Sequence, residues 1–303
     1  MIHTPSYREL QRIFESEAQA IEYLQEKEVL SKQMKCPKCN QSMTLNNTVF
    51  DCVKRACRKR MSIFTNTIFY GANTPYNRVL EIGYLWIIEM KHKSIKTFTG
   101  MSPTTITRWL KIFKELVSFN LEEEHQQIGG QDIIVEIDES KFGTRVERTP
   151  QQKMFAMIVE DRSADTLLKQ IEKHIHPESV IYSDMWKGYQ NIYSWLGIQH
   201  HAINHSQGFT MKDTNPVTGE IQVYHTNTIE AHWQVIKSKI PPRECRYLFT
   251  ELLVFIWKRQ NPHDQFEALI RCLRRTAKIS DLTNNTDIIE EMKTSDNDQT
   301  RSH

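Results

Sequence analysis

Three acidic residues stand at positions from which carboxylates can hold metal ions. Asp138 follows the β-branched run Ile133–Ile137, and Asp184 follows a second short apolar run, Val180–Ser183. Both runs predict buried strands, and strand ends are a usual place for chemistry in α/β proteins. The third acid, Glu230, falls in a segment predicted to be helical. We predict that these three carboxylates converge on metal ions.

This set of oxygen ligands suits two-metal phosphoryl transfer, in which ions ~4 Å apart stabilise the attacking and leaving oxygens. Hard oxygen ligands select Mg²⁺ or Mn²⁺. Asp138 and Asp184 would bind or bridge the ions, and Glu230 would complete the second site. Asn227, one turn earlier, could supply a neutral ligand or orient that carboxylate, and Lys237, two turns later, could contact a DNA phosphate. From spacing alone, these acids would be weak evidence, because Asp and Glu at strand and helix ends are usually caps or solvated charges.

Four of the six cysteines form two close pairs, Cys36–Cys39 and Cys52–Cys57, with twelve residues between the pairs. Such pairs fit a tetrahedral Zn²⁺ site, and the interval suits a short hairpin. Because nothing in the chain indicates secretion, a metal site is favoured over disulfides. Unrelated buried thiols are the alternative, and the isolated Cys245 and Cys272 are predicted to be structural.

Five basic residues surround the second cysteine pair. Basic clusters on a rigid loop contact phosphates and supply sequence-independent affinity for DNA, although a solvated loop is the alternative. The residues are Lys54, Arg55, Arg58, Lys59 and Arg60.

A second DNA-binding feature follows at residues 93–114. A short helical pattern ends at Gly100, and Ser102 with Pro103 supplies an N-cap and a first helical residue, as in helix-turn-helix motifs. Residues at the start of such a second helix meet base edges and phosphates. Here they are Thr104, Thr105, Thr107 and Arg108. Helix packing without DNA contact is the alternative.

The totals restrict the function classes. The 303 residues carry a net charge of only +2, so any DNA affinity must come from local clusters. No run approaches the ~20 apolar residues of a membrane span. The N-terminus lacks the apolar core of a signal peptide, which gives the expectation of an intracellular protein.

The same patterns predict the domain order. Residues 121–130 are polar, end in two glycines and predict a linker before an α/β domain. Residues 62–69 predict a strand, and residues 206–224 a loop. The predicted regions are an N-terminal helical segment (1–34), a zinc ribbon (35–70), a helix-turn-helix region (75–120), a catalytic domain (131–275) and a disordered tail (279–303).

Two further groups favour packing over function. The spacing of His200, His201 and His205 favours packing or DNA contact on a strand over a zinc site. Four aromatic residues near helical spacing favour a core over a base-stacking platform. They are Trp186, Tyr189, Tyr193 and Trp195.

Taken together, these motifs resemble the Merlin-type DNA transposases and the related bacterial insertion-sequence transposases with a zinc-ribbon N-terminus. The resemblance covers roughly residues 30–270, and the motif His225-Thr-Asn-Thr-Ile-Glu230 is its specific part. The matching segments are the two cysteine pairs with Arg58–Ile63, Ile137–Gly143, Asp161–Leu167, Ser183–Tyr189, Asn204–Ser206, and His225–Trp233 with Lys237.

The resemblance implies a ribonuclease-H-like catalytic domain, a mixed sheet flanked by helices, with Asp138, Asp184 and Glu230 as a DDE triad. It implies hydrolytic cleavage at transposon ends and then strand transfer by a 3′-hydroxyl, with catalytic Mg²⁺ or Mn²⁺ and structural Zn²⁺. The partners would be double-stranded DNA, as transposon ends and target, and a second copy of the chain or more. In a eukaryotic host the expected location is the nucleus, and otherwise the cytoplasm, on DNA.

One interval departs from the family pattern. Between Gly143 and Met154 the sequence is polar and contains Pro150, which predicts that a strand of the sheet is missing. The acids remain in place, but metal sites need precise support, so activity would be in doubt. The alternative is therefore a catalytically impaired, transposase-derived DNA-binding protein. A stand-alone metal-dependent nuclease is less favoured, because two DNA-binding modules precede the catalytic domain.

Overall fold

The computed structural model describes residues 4–123, 127–140, 144–148, 154–159, 161–203, 210–214, 221–225, 233–237 and 248–283. In these ranges no helix is both long and apolar enough to cross a membrane. The chain forms two compact units, which are described separately. The first consists of Met1–Asn120 and Asn261–His303, and the second of Leu121–Gln260.

The helices and strands have the following bounds. The helices are α1 (Tyr7–Glu15), α2 (Glu17–Glu26), α3 (Tyr76–Ile87), α4 (His92–Thr99), α5 (Pro103–Glu123), α6 (Ala164–His174), α7 (Ile192–Leu196), α8 (Leu248–Gln260) and α9 (Gln265–Thr283). The strands are β1 (Met43–Asn46), β2 (Val49–Cys52), β3 (Arg60–Ser62), β4 (Ile134–Ser140), β5 (Thr144–Arg148), β6 (Met154–Ile158), β7 (Val180–Asp184), β8 (Gln199–Ile203), β9 (Thr210–Thr214) and β10 (Ile221–His225). Residues 233–237 are also helical.

The predicted N-terminal helical segment is two helices rather than one. Ser16 has an extended backbone, ends α1, and accepts a hydrogen bond from the Gln19 N–H of α2 at 3.4 Å. A serine side chain that caps the next helix competes with continuation of the first, which explains the break. Both helices bury apolar residues, among them Phe14 and Leu24.

Residues 43–62 form a three-stranded antiparallel sheet in the order β1-β2-β3. The predicted strand over residues 62–69 is wrong, because β3 ends at Ser62. The Ser62 hydroxyl accepts from the Phe64 N–H, and the Thr67 hydroxyl donates to the Phe64 carbonyl. These bonds fold the chain into turns, while Ile63 and Phe69 remain buried. The apolar run thus serves packing without a strand.

Helix α9 belongs to the first unit, although the sequence placed residues up to 275 in the catalytic domain. Its Phe266 lies against Phe14, with ring centroids 6.3 Å apart, and Glu267 pairs with Lys27 at 2.8 Å. The helix also continues to Thr283, past the predicted start of the tail at residue 279. Its apolar residues recur at helical spacing and extend the helix beyond the point where polar composition suggested disorder.

The second unit is built on a five-stranded mixed sheet in the order β6-β5-β4-β7-β8. Strands β4, β7 and β8 run parallel, whereas β5 and β6 pair antiparallel with their neighbours. One face of this sheet packs on α6 through a core that includes Val135, Ile137, Leu167 and Ile181. The expected α/β domain, a mixed sheet with helices, is therefore present.

Strand β5 occupies the interval in which the sequence predicted a missing strand, and that prediction is wrong. Val146 is paired with Asp138 on β4 and with Ala156 on β6. A strand with neighbours on both sides satisfies its backbone groups through two ladders, so it does not need an apolar sequence. Pro150 comes after Arg148, the last residue of β5, so it is not part of this strand.

The predicted loop over residues 206–224 is wrong at residues 210–214 and 221–224, which form strands. Strands β9 and β10 pair antiparallel, with Thr214 opposite Ile221 and Thr210 opposite His225. The Asn-Pro and Thr-Gly signals that suggested a loop lie between the two strands, so they mark the connection of a hairpin.

Candidate functional site

Asp138 and Asp184 lie at the carboxyl ends of neighbouring parallel strands. Glu136 of β4 is opposite Tyr182 of β7, so each aspartate lies two residues beyond this pair on its own strand. Residues two apart on a strand share a face, and adjacent strands are about 4.8 Å apart. The structure therefore brings these two predicted ligands together on one face of the sheet.

The surroundings of the two carboxylates differ. Asp138 is buried, with 8% of its surface exposed, and Glu136 beside it on the same face is equally buried. Asp184 is partly exposed, and its Oδ1 accepts a hydrogen bond of 3.0 Å from the Trp186 N–H. A carboxylate has lone pairs for further ligands, so this bond is compatible with metal binding. The pair thus combines a buried acid with a partly exposed one.

The other predicted catalytic residues are placed only in part. Glu230 and Asn227 lie outside the described residues, so their approach to the aspartates stays a prediction. Lys237 is exposed at the end of the helical residues 233–237, as expected for a phosphate contact. That helix packs through Trp233 and Ile236 on a separate core with α8.

The segment after Asp184 differs from the predicted aromatic core. Tyr189 is fully buried, but Trp186, Tyr193 and Trp195 are 39%, 69% and 64% exposed. The helix that the spacing of these aromatic residues suggested is interrupted: a 3₁₀ turn spans Lys187–Tyr189, and α7 begins at Ile192. This interruption breaks the helical spacing, so the three other rings do not share the buried face of Tyr189.

His200 and His201 make local contacts within the sheet. His200 Nε2 lies 2.8 Å from the Ser183 hydroxyl, and His201 Nε2 lies 3.1 Å from the Gln199 amide nitrogen. Burial, together with the neighbouring His201, lowers the pKa of His200 to about 4, so its ring is neutral at pH 7. Packing agrees with the sequence interpretation; His205 lies outside the described residues.

The four predicted zinc ligands come together. Cys36 and Cys57 have their sulfurs 3.5 Å apart, Cys39 and Cys52 theirs 3.4 Å apart, and all four sulfurs lie within 4.8 Å of one another. Tetrahedral zinc with bonds of about 2.3 Å requires sulfurs about 3.8 Å apart. The cluster fits Zn²⁺. Among the described residues, no other group of three or more His, Cys, Asp or Glu side chains brings its ligand atoms this close together.

The backbone explains how two unequal cysteine spacings give one site. Each pair is followed by a residue with left-handed backbone, Asn40 (φ 56°) and Arg58 (φ 48°). The Asn40 N–H donates to the Cys36 carbonyl at 2.8 Å, and the Cys57 N–H donates to the Lys54 carbonyl at 2.8 Å. Both loops therefore turn tightly and present their thiols to the same point.

The basic residues around the second pair are all exposed. Two of them have protein partners: Arg60 pairs with Asp51 at 2.8 Å, and Arg58 donates from Nε to the Arg55 carbonyl at 3.3 Å. Surface ion pairs are weak, so a phosphate can compete for these guanidinium groups. The predicted DNA contacts by Arg55, Arg58, Lys59 and Arg60 stay predictions.

The helix-turn-helix geometry agrees with the sequence. Helix α4 ends at Gly100 with left-handed backbone (φ 67°), and the Ser102 hydroxyl accepts from the Thr105 N–H at 3.1 Å as the N-cap of α5. Thr104 and Arg108 are exposed. The hydroxyls of Thr105 and Thr107 instead bond within the protein, to Ser102 and to the Pro103 carbonyl. The contacts with bases and phosphates predicted for Thr104, Thr105, Thr107 and Arg108 stay predictions.

Two features of the site were missed from the sequence. Glu136 shares the face of Asp138, and the alternation Glu-Ile-Asp was the signal that could have identified it. Arg162 lies over the Trp186 indole, with its Cζ 4.4 Å from the ring centroid. No sequence signal joins these two residues, because Arg162 precedes α6, Trp186 follows β7, and they meet only when α6 packs beside the 3₁₀ turn Lys187–Tyr189.

Comparison with known proteins gives one family match. Residues 122–241 match the model of the ISXO2-like transposase domain. No curated protein matches the chain. The matched segment contains both aspartates and Glu230, and it lies entirely within the second unit. The match supports a transposase role and confirms that the chain resembles the DDE insertion-sequence transposases, through a domain similar to the ISXO2-like transposase domain.

Proposed function

We propose that the protein is a DNA transposase that cleaves transposon ends and joins them to a target by metal-dependent phosphoryl transfer. The observation that carries the proposal is the placement of Asp138 and Asp184 at the carboxyl ends of β4 and β7, on one face of the sheet. The domain would be ribonuclease-H-like, with Glu230 as the third acid of the triad.

Asp138 and Asp184 fit hard divalent cations, because both offer carboxylate oxygens and one of them is buried. Bound Mg²⁺ or Mn²⁺ would supply positive charge to the attacking and leaving oxygens of an in-line displacement. The carboxylate of Asp138 would be held in place because its strand, β4, is hydrogen-bonded to neighbouring strands on both sides. Asp184, at the surface, would face the scissile phosphate, and Lys237 would contact a nearby phosphate.

The first unit would bring DNA to this site. Its exposed basic residues beside the zinc-ribbon cysteines would bind phosphates, and Thr104 with Arg108 on α5 would read the transposon end. The protein would act as a dimer or larger assembly on paired ends. In a eukaryotic host it would work in the nucleus.

The test is an end-cleavage assay with the full-length protein, labelled DNA that carries the element's own flanks, and Mg²⁺ or Mn²⁺. Cuts at the flank boundary should require the metal and should fall about 100-fold or more in Asp138→Asn and Asp184→Asn, because even outer partners of metal ligands change activity 10- to 100-fold. Asparagine keeps a carbonyl oxygen at position 184 to accept from the Trp186 N–H, so the second variant removes charge and spares that bond.

Asp132→Asn is the matched control. Asp132 is exposed, precedes the same strand β4, and has a left-handed backbone that asparagine tolerates. Full cleavage by this control, with loss in the other two variants, supports the proposal. Equal cleavage by all three variants would refute a catalytic role for the aspartates.

The catalytically impaired alternative rested on a missing strand. Since β5 is present and pairs with β4 along the segment that carries Asp138, that reason no longer applies.

A further inference from the structure

We propose that Trp186 and Arg162 form a binding subsite for one unpaired nucleotide of the DNA substrate, beside Asp184. The indole would stack on the base, and the guanidinium would face a phosphate of the same strand. The inference rests on the proposed function, since it takes DNA as the substrate, and it adds a residue pair that holds the strand next to the scissile phosphate.

The first support is the exposure of a large aromatic ring that is nevertheless held in place. Trp186 is 39% exposed with the guanidinium over its ring, and its backbone N–H is fixed by the Asp184 carboxylate at 3.0 Å. Two residues later, a Cβ at Gly188 would lie 2.9 Å from the indole nitrogen and 3.0 Å from Leu167. The close approach of the indole edge to this glycine restrains the ring, so its exposed surface has a defined position.

The second support is the charge at the ring. Arg162 Cζ lies 4.4 Å from the ring centroid of Trp186, and both side chains are exposed. Proteins that bind single-stranded nucleic acid combine aromatic rings with arginines: a base stacks on the ring surface that the arginine leaves exposed, and the guanidinium neutralises a phosphate. A purely apolar partner would gain nothing from the guanidinium, which favours a nucleotide as the occupant.

The third support is the location. Asp184 directly precedes the segment and accepts the hydrogen bond that orients it, so a nucleotide on Trp186 would lie beside the candidate metal ligand. Moving a base out of a duplex costs less free energy when the base is mismatched than when it is paired. The subsite therefore predicts tighter binding of DNA ends in which one base pair next to the cut is mismatched.

The test measures equilibrium binding by fluorescence anisotropy of the full-length protein to the element's end, either fully paired or with a mismatch beside the cut. Wild type should prefer the mismatched DNA. Trp186→Ala should lose about 5- to 100-fold of affinity for it, the range expected for one stacked base, and should bind the paired DNA as before. Trp186→Phe, which keeps an aromatic face, should retain most of the preference.

Trp195→Ala is the matched control, because Trp195 is exposed on α7 of the same unit. It should bind like wild type. Lack of a mismatch preference in wild type, or an unchanged preference in Trp186→Ala, would overturn the subsite. Cleavage by wild type at the flanks would still support the transposase. Conversely, a Trp186-dependent preference without cleavage would keep the subsite and reject the catalytic proposal.

Discussion

The four thiols of the cysteine cluster are not equivalent before a metal binds. Burial opposes ionisation of Cys36, but hydrogen bonds from the backbone N–H groups of Lys38 and Cys39 and from neighbouring thiols outweigh it and lower its pKa to about 6. Burial raises the pKa of Cys52 to about 12. One thiolate is thus available at pH 7, and zinc must displace protons from other ligands.

Zinc affinity should therefore rise with pH. Above about pH 6 Cys36 is already a thiolate, but each thiol that stays protonated adds about a tenfold gain in affinity per pH unit. We expect a steep increase in affinity between pH 6 and pH 8, measured by competition with a chromophoric chelator. The Cys52→Ser variant should lose the bound zinc. The Cys272→Ser variant should keep one zinc per chain, because Cys272 lies on α9 and is not part of the cluster. A pH-independent affinity would contradict four-thiolate ligation.

For individual residues, the sequence predicted those sites that depend on short spacings along the chain. Cys36, Cys39, Cys52 and Cys57 were assigned from two short intervals, and the structure brings them together. Asp138 and Asp184 were assigned from strand ends, which parallel pairing places side by side. The exposure of Trp186 was missed, because it depends on a 3₁₀ turn and on packing against Arg162, and neither leaves a periodic signal.

Among the elements, β5 shows why composition is a poor guide to a central strand. Its sequence Thr-Arg-Val-Glu-Arg carries a single apolar residue, yet all five of its residues pair with β4 on one side and with β6 on the other. The ladder on each side provides the stabilisation that side-chain pattern did not indicate. The hairpin β9–β10 was missed for a different reason, since the turn residues between the strands outweighed the pattern of two short strands.

The amide protons of β5 should therefore exchange slowly with solvent. In native-state hydrogen exchange, amides of residues 144–148 should be protected at least tenfold more than those of β9 and β10, which form a two-stranded sheet. Mass spectrometry of peptic peptides at neutral pH measures this difference. Equal, fast exchange in both segments would mean that β5 is not stably paired and would restore the doubt about the support of Asp138.

For the whole molecule, the chain order and the compact units do not coincide. The first unit contains the N-terminal helices, the sheet β1–β3 and the helices α3–α5, together with α9 from the opposite end of the chain. The second unit carries both aspartates, and the whole segment that matches the transposase domain lies within it. Sequence order alone could not place α9, because an amphipathic helix indicates that it packs but not on which unit.

This assignment predicts that α9 stabilises the first unit. Phe266 is fully buried, with its ring 5.6 Å from Tyr84 and 6.3 Å from Phe14, all within that unit. Phe266→Ala should cost about 3–5 kcal/mol, as for other buried phenylalanines, and should raise hydrogen exchange in α1–α3. Phe249→Ala, at a position 41% exposed on α8, should cost far less. Exchange that rises only in β4–β8 would instead assign α9 to the second unit.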